Sequence, residues 1–337
     1  MTIMNVLLAS DVSIKELLGG AERGLYEEAR FLAQKGHQVC ILTRKLDSHG
    51  TFDENIDGIL ECRYEVNTRN PLTFLISTVI NAQKRYKELC LKKNFDVINF
   101  HQPFTALAIN LLPQAKNIKK VYTCHSLSFE EYSSRHPQKN PLGLILNIRA
   151  RRSIEKFCLD KSGKIIVLSQ FTKDKLKITH RINENKIIVI PSGVNTLDFQ
   201  PAIDKKAQRP ELNMAPSTLI LFTARNLVPR MGLENLVQAI PLLQQKGVPV
   251  HLFIAGQGML KEKLQALIKE LRLDDAVTLC GFISEQSLHK YYQMADFFIL
   301  PTIELEGFGL VTIEAMACGT PVLGHSYWRH GRNITGL

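Results

Sequence analysis

The seven cysteines of this 337-residue chain, Cys40, Cys62, Cys90, Cys124, Cys158, Cys280 and Cys318, never form a C-x-x-C pair, and their number is odd. The missing spacing argues against a zinc site, and the scatter argues against a disulfide framework and for thiols kept reduced. Long hydrophobic runs are missing too. The longest, LTFLISTVI at 72–80 and TLILFTA at 218–224, fall far below the ~20 residues that cross a bilayer, so no spanning helix is expected. The opening MTIMNVLLASD lacks a basic segment and a small-residue cleavage site, and reads as a first strand and not as a signal peptide. No G-x-G-x-x-G dinucleotide fingerprint occurs. Asp274 and Asp275 are adjacent and do not make D-x-D, and no His, Asp and Glu cluster has ligand spacing. No metal site and no bound cofactor are therefore expected.

What is present is an ordinary globular composition, 45% apolar and 22% charged, in a chain longer than a single core usually supports, which favours two domains. The net charge of +10 asks for an anionic partner. Basic residues gather in QKRYKELCLKK (83–93) and IRARRSIEKF (148–157), with apolar positions at helical spacing between them. Both segments read as solvated helix faces, with docking to an anionic membrane surface as the alternative. No nucleic-acid recognition motif accompanies the charge.

Short apolar runs alternate with amphipathic segments along the whole chain, the pattern of a parallel sheet covered on both faces. In the first half the strands are NVLLAS, QVCILT, FDVINFH, KKVYTCH, KIIVLS and KIIVIPSG, with a first helix over 22–35. The polar, proline-containing stretch after Phe199 breaks the pattern and reads as a linker. The alternation restarts with TLILFTARN, PVHLFIAGQG, AVTLCGF and DFFILP, separated by helices over 233–246, 260–271 and 285–295. The expected organisation is an N-terminal domain over 1–199, a linker over 200–217 and a C-terminal domain over 218–337. Two doubly wound α/β domains facing across a cleft follow, with ligands at the C-terminal ends of the strands.

Several residues in those positions carry chemistry. Gly19 and Gly20 lie between the first strand and the first helix, where they form either a plain tight turn or a backbone cradle for phosphate or a sugar hydroxyl. His101 and His125 end consecutive strands, so parallel pairing would bring both imidazoles to the site. A structural role is the bland alternative for each. Arg225 follows the first strand of the second half, and Arg230 precedes the Gly232 that opens a helix. Guanidinium groups so placed can hold a diphosphate without metal. In EGFGLVTIEAMACGTPV (306–322), Gly307, Phe308 and Gly309 follow a strand and precede the helix that starts at Leu310, so their amides form an anion site. Glu306 stands just outside this helix and Glu314 about a turn inside it, where carboxylates can accept hydrogen bonds from sugar hydroxyls. The alternative is that both are solvated charges. Gly319 and Pro321 end the helix.

These elements, GGAERGLYEEARFLAQKGHQVCILT, IIVIPSGVNTLDFQP, LFIAGQG and above all EGFGLVTIEAMACGTPV, resemble the retaining glycosyltransferases of family GT4. The resemblance covers about 5–323 and implies the GT-B fold. It also implies a nucleotide diphosphate sugar as donor and a saccharide, polysaccharide or lipid-linked acceptor. Glu306 is then expected at the donor sugar, Glu314 at the ribose hydroxyls, Gly19 and Gly20 in the N-terminal loop, and His101 near the reacting carbon. Donor preference is expected to lie around Gly256, Gly258 and Phe282. Same-face attack, with the leaving diphosphate helping to deprotonate the acceptor, needs no dedicated carboxylate base and no metal.

One departure falls in the diphosphate site, where Met231 occupies the position in which such relatives usually carry lysine, and the adjoining Arg230 is the substitute. A second falls after Leu323, where GHSYWRHGRNITGL replaces an expected glycine-rich segment. Codons compatible with that tail read one nucleotide later as a glycine-rich sequence, so a frameshift, an incomplete second domain and impaired catalysis are expected. A divergent tail is the alternative. The location implied is cytoplasmic, on or near the inner face of the membrane. A GT-B epimerase is disfavoured by GGAER and EGFG, and a non-catalytic nucleotide-sugar binder is the alternative from another class.

Overall fold

The computed structural model describes residues 2–15, 19–135, 141–205, 209, 214–304 and 308–324. Glu306, Gly307 and the tail over 325–337 lie outside the described residues. The chain divides into two compact units, Met1–Pro191 and Ser192–Leu337.

In the first unit the strands are β1 (Asn5–Ala9), β2 (Gln38–Arg44), β3 (Asp53–Ile56), β4 (Ile59–Tyr64), β5 (Val97–Phe100), β6 (Lys119–Cys124), β7 (Lys164–Val167) and β8 (Ile187–Val189). The helices are α1 (Gly20–Gln34), α2 (Pro71–Lys92), α3 (Pro103–Asn110), α4 (Ser128–Arg135), α5 (Pro141–Lys161) and α6 (Gln170–His180). The sheet runs β3-β4-β2-β1-β5-β6-β7-β8, parallel except for β3 against β4. The near-continuous apolar strands explain the two covered faces. In β1, Leu7 and Ala9 join one core while Val6 and Leu8 join the other. The antiparallel β3–β4 hairpin escaped the sequence reading because β3, DENI, is polar. Its turn is nevertheless marked by Asp57 and Gly58, at φ 50° and 84°, the Asp-Gly chemistry of a tight hairpin.

Two polar devices fix the chain beside the strand ends. The buried Glu61 carboxylate accepts from Ser13 Oγ at 3.0 Å, Ile14 N at 2.9 Å and Thr43 Oγ1 at 3.1 Å, and pairs with buried Arg63. It thereby anchors the segment leaving β1. Asp11 accepts from Phe104 N at 3.1 Å and Thr105 N at 2.8 Å, supplying acceptors for the first amides of α3.

The second unit holds β9 (Leu219–Ala224), β10 (Val250–Ala255), β11 (Val277–Gly281), β12 (Phe297–Leu300) and β13 (Val322–Gly324). Its helices are α7 (Leu233–Gln245), α8 (Lys261–Glu270), α9 (Glu285–Met294) and α10 (Leu310–Ala317). All strands are parallel in the order β11-β10-β9-β12-β13. The division after Pro191 falls earlier than the boundary expected at 199. The reason is packing: the Phe199 ring lies 6.1 Å from Tyr292, and Phe199 packs against the second unit's core. Part of the expected linker is also docked there, since Arg209 pairs with Asp296, and Met214 joins the same core.

Candidate active site

Each sheet has one place where the strand order reverses, between β1 and β5 in the first unit and between β9 and β12 in the second. Neighbouring connections leave such a point in opposite directions and open a crevice at the carboxyl ends of the strands. Among the described candidates, Gly19, Gly20 and His101 follow β1 and β5 at the first point, and Arg225, Gly309 and Leu310 follow β9 and β12 at the second; each unit is described by itself.

In the second unit Arg225 directly follows β9 and donates to Thr302 Oγ1, just after β12. Burial first, and the charge of Arg230 second, push the Arg225 guanidinium down to about 9. An anion beside the two would favour the charged guanidinium and so offset both effects. Met231 is 5% exposed, and its sulfur lies 3.8 Å from Thr302 Oγ1. The side chain in the position of the expected lysine thus lies in the apolar wall.

Glycines hold these loops together. Gly232, at φ 66°, would direct a Cβ into the carbonyl of Pro301, while Ile303 N donates to Arg230 O at 2.8 Å. Gly256 and Gly258, at φ 135° and 154°, would direct a Cβ into Arg225 O and Leu227 O. Backbone-to-backbone approach accounts for both residues. They set the Arg225 loop, and the contact with donor expected of them is not what requires glycine. Phe282 is 53% exposed and sits at the carboxyl end of β11.

Gly309, at φ 80°, precedes α10, and Thr312 closes the first turn by donating to Gly309 O from its amide at 2.8 Å and its hydroxyl at 2.6 Å. Phe308 is half-buried, and Leu310 begins the helix. Glu314 is 2% exposed and accepts the Tyr292 hydroxyl at 2.7 Å, inside the aromatic cluster of Phe222, Tyr292 and Phe298. The reading of Glu314 as a solvated charge is therefore excluded: a carboxylate in this setting is held by specific partners.

In the first unit Gly19 has extended backbone, φ −151°, and Gly20 begins α1. His101 and His125 follow the paired strands β5 and β6, and their rings meet at Nδ1···Nε2, 2.9 Å. His101 is 3% exposed and lies 3.4 Å from Glu28 of α1 through Nε2, whereas His125 is half-buried. The open edge of the pair thus belongs to His125, and His101 is its inner neighbour. Burial pushes both imidazoles well below their usual range, His101 to about 3, and the neighbouring His101 adds to the shift at His125. Sequence reasoning missed Gly24, where a Cβ would meet His125 Cε1 at 3.0 Å, and Glu28 four residues on. The available signal was their shared helical face.

Among the described residues, no group of three His, Cys, Asp or Glu side chains could hold a metal ion, and no helix is long and apolar enough to cross a membrane.

Two Rossmann-like units with residues gathered at their switch points define the class: this is the GT-B architecture of glycosyltransferases. Residues 18–197, more than half of the chain, match the family described as Glycosyltransferase Family 4, and residues 204–328 match Glycosyl transferases group 1. The chain belongs to glycosyltransferase family 4. Mannosylfructose-phosphate synthase of Agrobacterium fabrum is 26% identical over 329 residues, covering 91% of this chain and 72% of the relative. Among solved structures, sucrose-phosphate synthase from Thermosynechococcus elongatus is 25% identical with a TM-score of 0.80, covering 96% of this chain and 81% of that one. HepE from Anabaena in complex with UDP-glucose is 19% identical with a TM-score of 0.70, covering 95% and 80%.

Proposed function

We propose that this glycosyltransferase moves a sugar from a nucleotide diphosphate donor to a saccharide, polysaccharide or lipid-linked acceptor, with retention at the transferred carbon. The observation that carries this reading is the pairing at one switch point of Arg225, pushed down to about 9 by burial and Arg230, with the buried Glu314 carboxylate. Such a site offers cationic groups to a diphosphate and an acceptor group to ribose hydroxyls. The presence of UDP-glucose in the HepE structure is consistent with that donor class.

In the proposed reaction the bond between the sugar C1 and the diphosphate oxygen breaks, and the acceptor oxygen bonds to C1 on the same face. The acceptor proton passes to the departing phosphate oxygen. Arg225 and Arg230, with the amides of Gly307, Phe308, Gly309 and Leu310, neutralise the charge that develops there, so no divalent metal is needed. Glu306 holds the donor sugar, Glu314 the ribose, and Gly19 and Gly20 line the loop of the first unit. His125, the open member of the histidine pair, meets a sugar hydroxyl, with His101 behind it. Phe282 borders the nucleotide end.

The test is Glu306→Ala, assayed for turnover with UDP-, GDP- and ADP-sugars after thermal shift has identified the donor that binds. Transfer should disappear while donor binding and melting temperature persist. Wild-type protein that binds a donor but neither transfers nor hydrolyses it would make this a binder instead.

The acceptor side includes a membrane surface. Leu72, Ile76, Ile80 and Leu91 are exposed along α2, interspersed with exposed Lys84 and Lys87, an amphipathic stripe suited to anionic lipid. Co-sedimentation with vesicles containing phosphatidylglycerol, lost in Ile76→Ser/Ile80→Ser, tests this; equal binding by the variant refutes it.

A further inference from the structure

Behind the half-buried His125 lies a chain of polar groups that the transfer chemistry does not itself require. His125 Nε2 meets His101 Nδ1 at 2.9 Å, and His101 Nε2 faces Glu28 Oε2 at 3.4 Å. Asn99 Nδ2 stands beside both groups, 2.6 Å from Glu28 Oε1, 2.9 Å from Thr123 Oγ1 and 3.4 Å from His101 Nε2. An amide nitrogen carries two hydrogens. The contacts with Glu28 and Thr123, whose hydroxyl also donates to Asn99 Oδ1 at 3.1 Å, are the shorter ones, and the contact with His101 is the longest. A lone pair on His101 Nε2 would face the Glu28 carboxylate oxygen at 3.4 Å and be repelled by it, so Nε2 carries the hydrogen while Glu28 is ionised. His101 Nδ1 then has a lone pair and accepts from His125 Nε2–H, which leaves the lone pair of His125 on Nδ1. No hydrogen bond to that atom is made among the described residues, and the ring lies against Gly24, where a Cβ would stand 3.0 Å from Cε1.

We propose that Glu28 is a positioning residue for the transfer site: acting through His101, it sets which nitrogen of His125 carries the proton, so that Nδ1 accepts a hydrogen bond from a sugar hydroxyl. The proposal rests on the reading that His125 faces the substrate. It assigns no covalent step to Glu28. A proton arriving on Glu28 would reverse every hydrogen bond in the row, since the acid would donate to His101 Nε2, His101 Nδ1–H to His125 Nε2, and His125 Nδ1 would become a donor. The row thus has two discrete states that differ by one proton at Glu28. Burial pushes this carboxyl up to about 7, against a smaller opposing effect of the Asn99 hydrogen bond. The other charged group acting on His125 is Glu131 of α4, whose charge favours the protonated ring, while His101 disfavours it. Asn99 and Thr123 are neutral, so Glu28 is the titrating member of the row.

The experiment is two-bond proton–nitrogen correlation NMR on the full chain labelled with 15N-histidine, with the His125 signal among the ten histidines assigned by its loss in His125→Gln. Wild-type protein at pH 8 should show His125 protonated on Nε2. Glu28→Gln keeps the shape and the acceptor for Asn99 but turns an NH2 toward His101, so His125 should shift to the Nδ1-protonated form at the same pH. In that variant kcat should fall by at least about tenfold with donor Kd and melting temperature retained, and the acidic decline of kcat expected of wild type near neutrality should be absent. An unchanged His125 tautomer in Glu28→Gln overturns the proposal, and so does a changed tautomer with unchanged kcat. If His125→Ala retains full turnover, the substrate-facing reading fails instead, whatever the NMR pattern shows.

Discussion

Replacing Glu314 by glutamine removes one charge from the second unit and almost no volume. The carboxylate is 2% exposed and accepts the Tyr292 hydroxyl at 2.7 Å, with the Tyr292 ring 5.2 Å from Phe222 and 5.3 Å from Phe298. The amide keeps an acceptor oxygen for Tyr292, so the aromatic cluster should survive and the melting temperature should change little. Donor binding should not survive intact. Hydrogen bonds to a charged group contribute about 1.5–3 kcal/mol each, so two ribose hydroxyls on the carboxylate account for about 3–6 kcal/mol as an upper range. An amide with its oxygen already engaged retains about half of that. The expected loss is then about 1.5–3 kcal/mol, or roughly ten- to hundredfold in Kd. Titration calorimetry with the nucleoside diphosphate alone measures it without interference from the sugar. Tyr292→Phe is the companion: it keeps the ring, removes the hydroxyl that orients the carboxylate, and should cost less than the glutamine variant. A folded Glu314→Gln protein with wild-type affinity would refute the ribose role. A larger loss in Tyr292→Phe would mean that the pair matters for packing and not for the ligand.

Arg225→Ala should weaken diphosphate binding more than Arg230→Ala, because burial heightens the effect of the Arg225 charge and Thr302 holds its guanidinium in place; the reverse order in calorimetry would reassign the pair. Turnover should persist in EDTA, and its complete loss with recovery in magnesium or manganese would contradict neutralisation by arginines and amides. Acid should destabilise the first unit: His101 stays neutral in the folded state down to about 3 against an ordinary 6.5, so its contribution is fully present above about 6.5 and lost as pH falls toward 3. His125 is lowered in the same way, so each ring gives a slope of about 1.4 kcal/mol per pH unit, and Glu28, whose raised pKa favours the folded state on acidification between 4.5 and about 7, offsets one of the two there. Chemical denaturation of His101→Asn between pH 6.5 and 4 should show a shallower decline than wild type, and parallel curves would argue against a buried neutral ring.

The strands and helices of both units were legible because each apolar run has a length and a boundary that local chemistry sets. TLILFTA and DFFILP are short, β-rich and followed by residues that cannot extend them, and they became β9 and β12. The expectation that His101 and His125 would meet followed from the same logic, since both end strands that pair in parallel. Sequence also marked Arg225 and Glu314 as chemistry-bearing residues by their places at a strand end and early in a helix. It did not show the β3–β4 hairpin, whose polar strand has no periodicity to read, or the place of Phe199, which is decided by contact with Tyr292 in a distant helix. Only the tertiary structure separated the buried histidine from the open one and brought Glu28, four residues beyond Gly24, against a side chain more than seventy positions away. Only there did Gly256 and Gly258 become spacers between two backbones. Local sequence sets dihedral preference and apolar period, which act over a few residues; burial, hydrogen-bond partners and proton affinity are properties of whatever folds alongside, and no local pattern carries them.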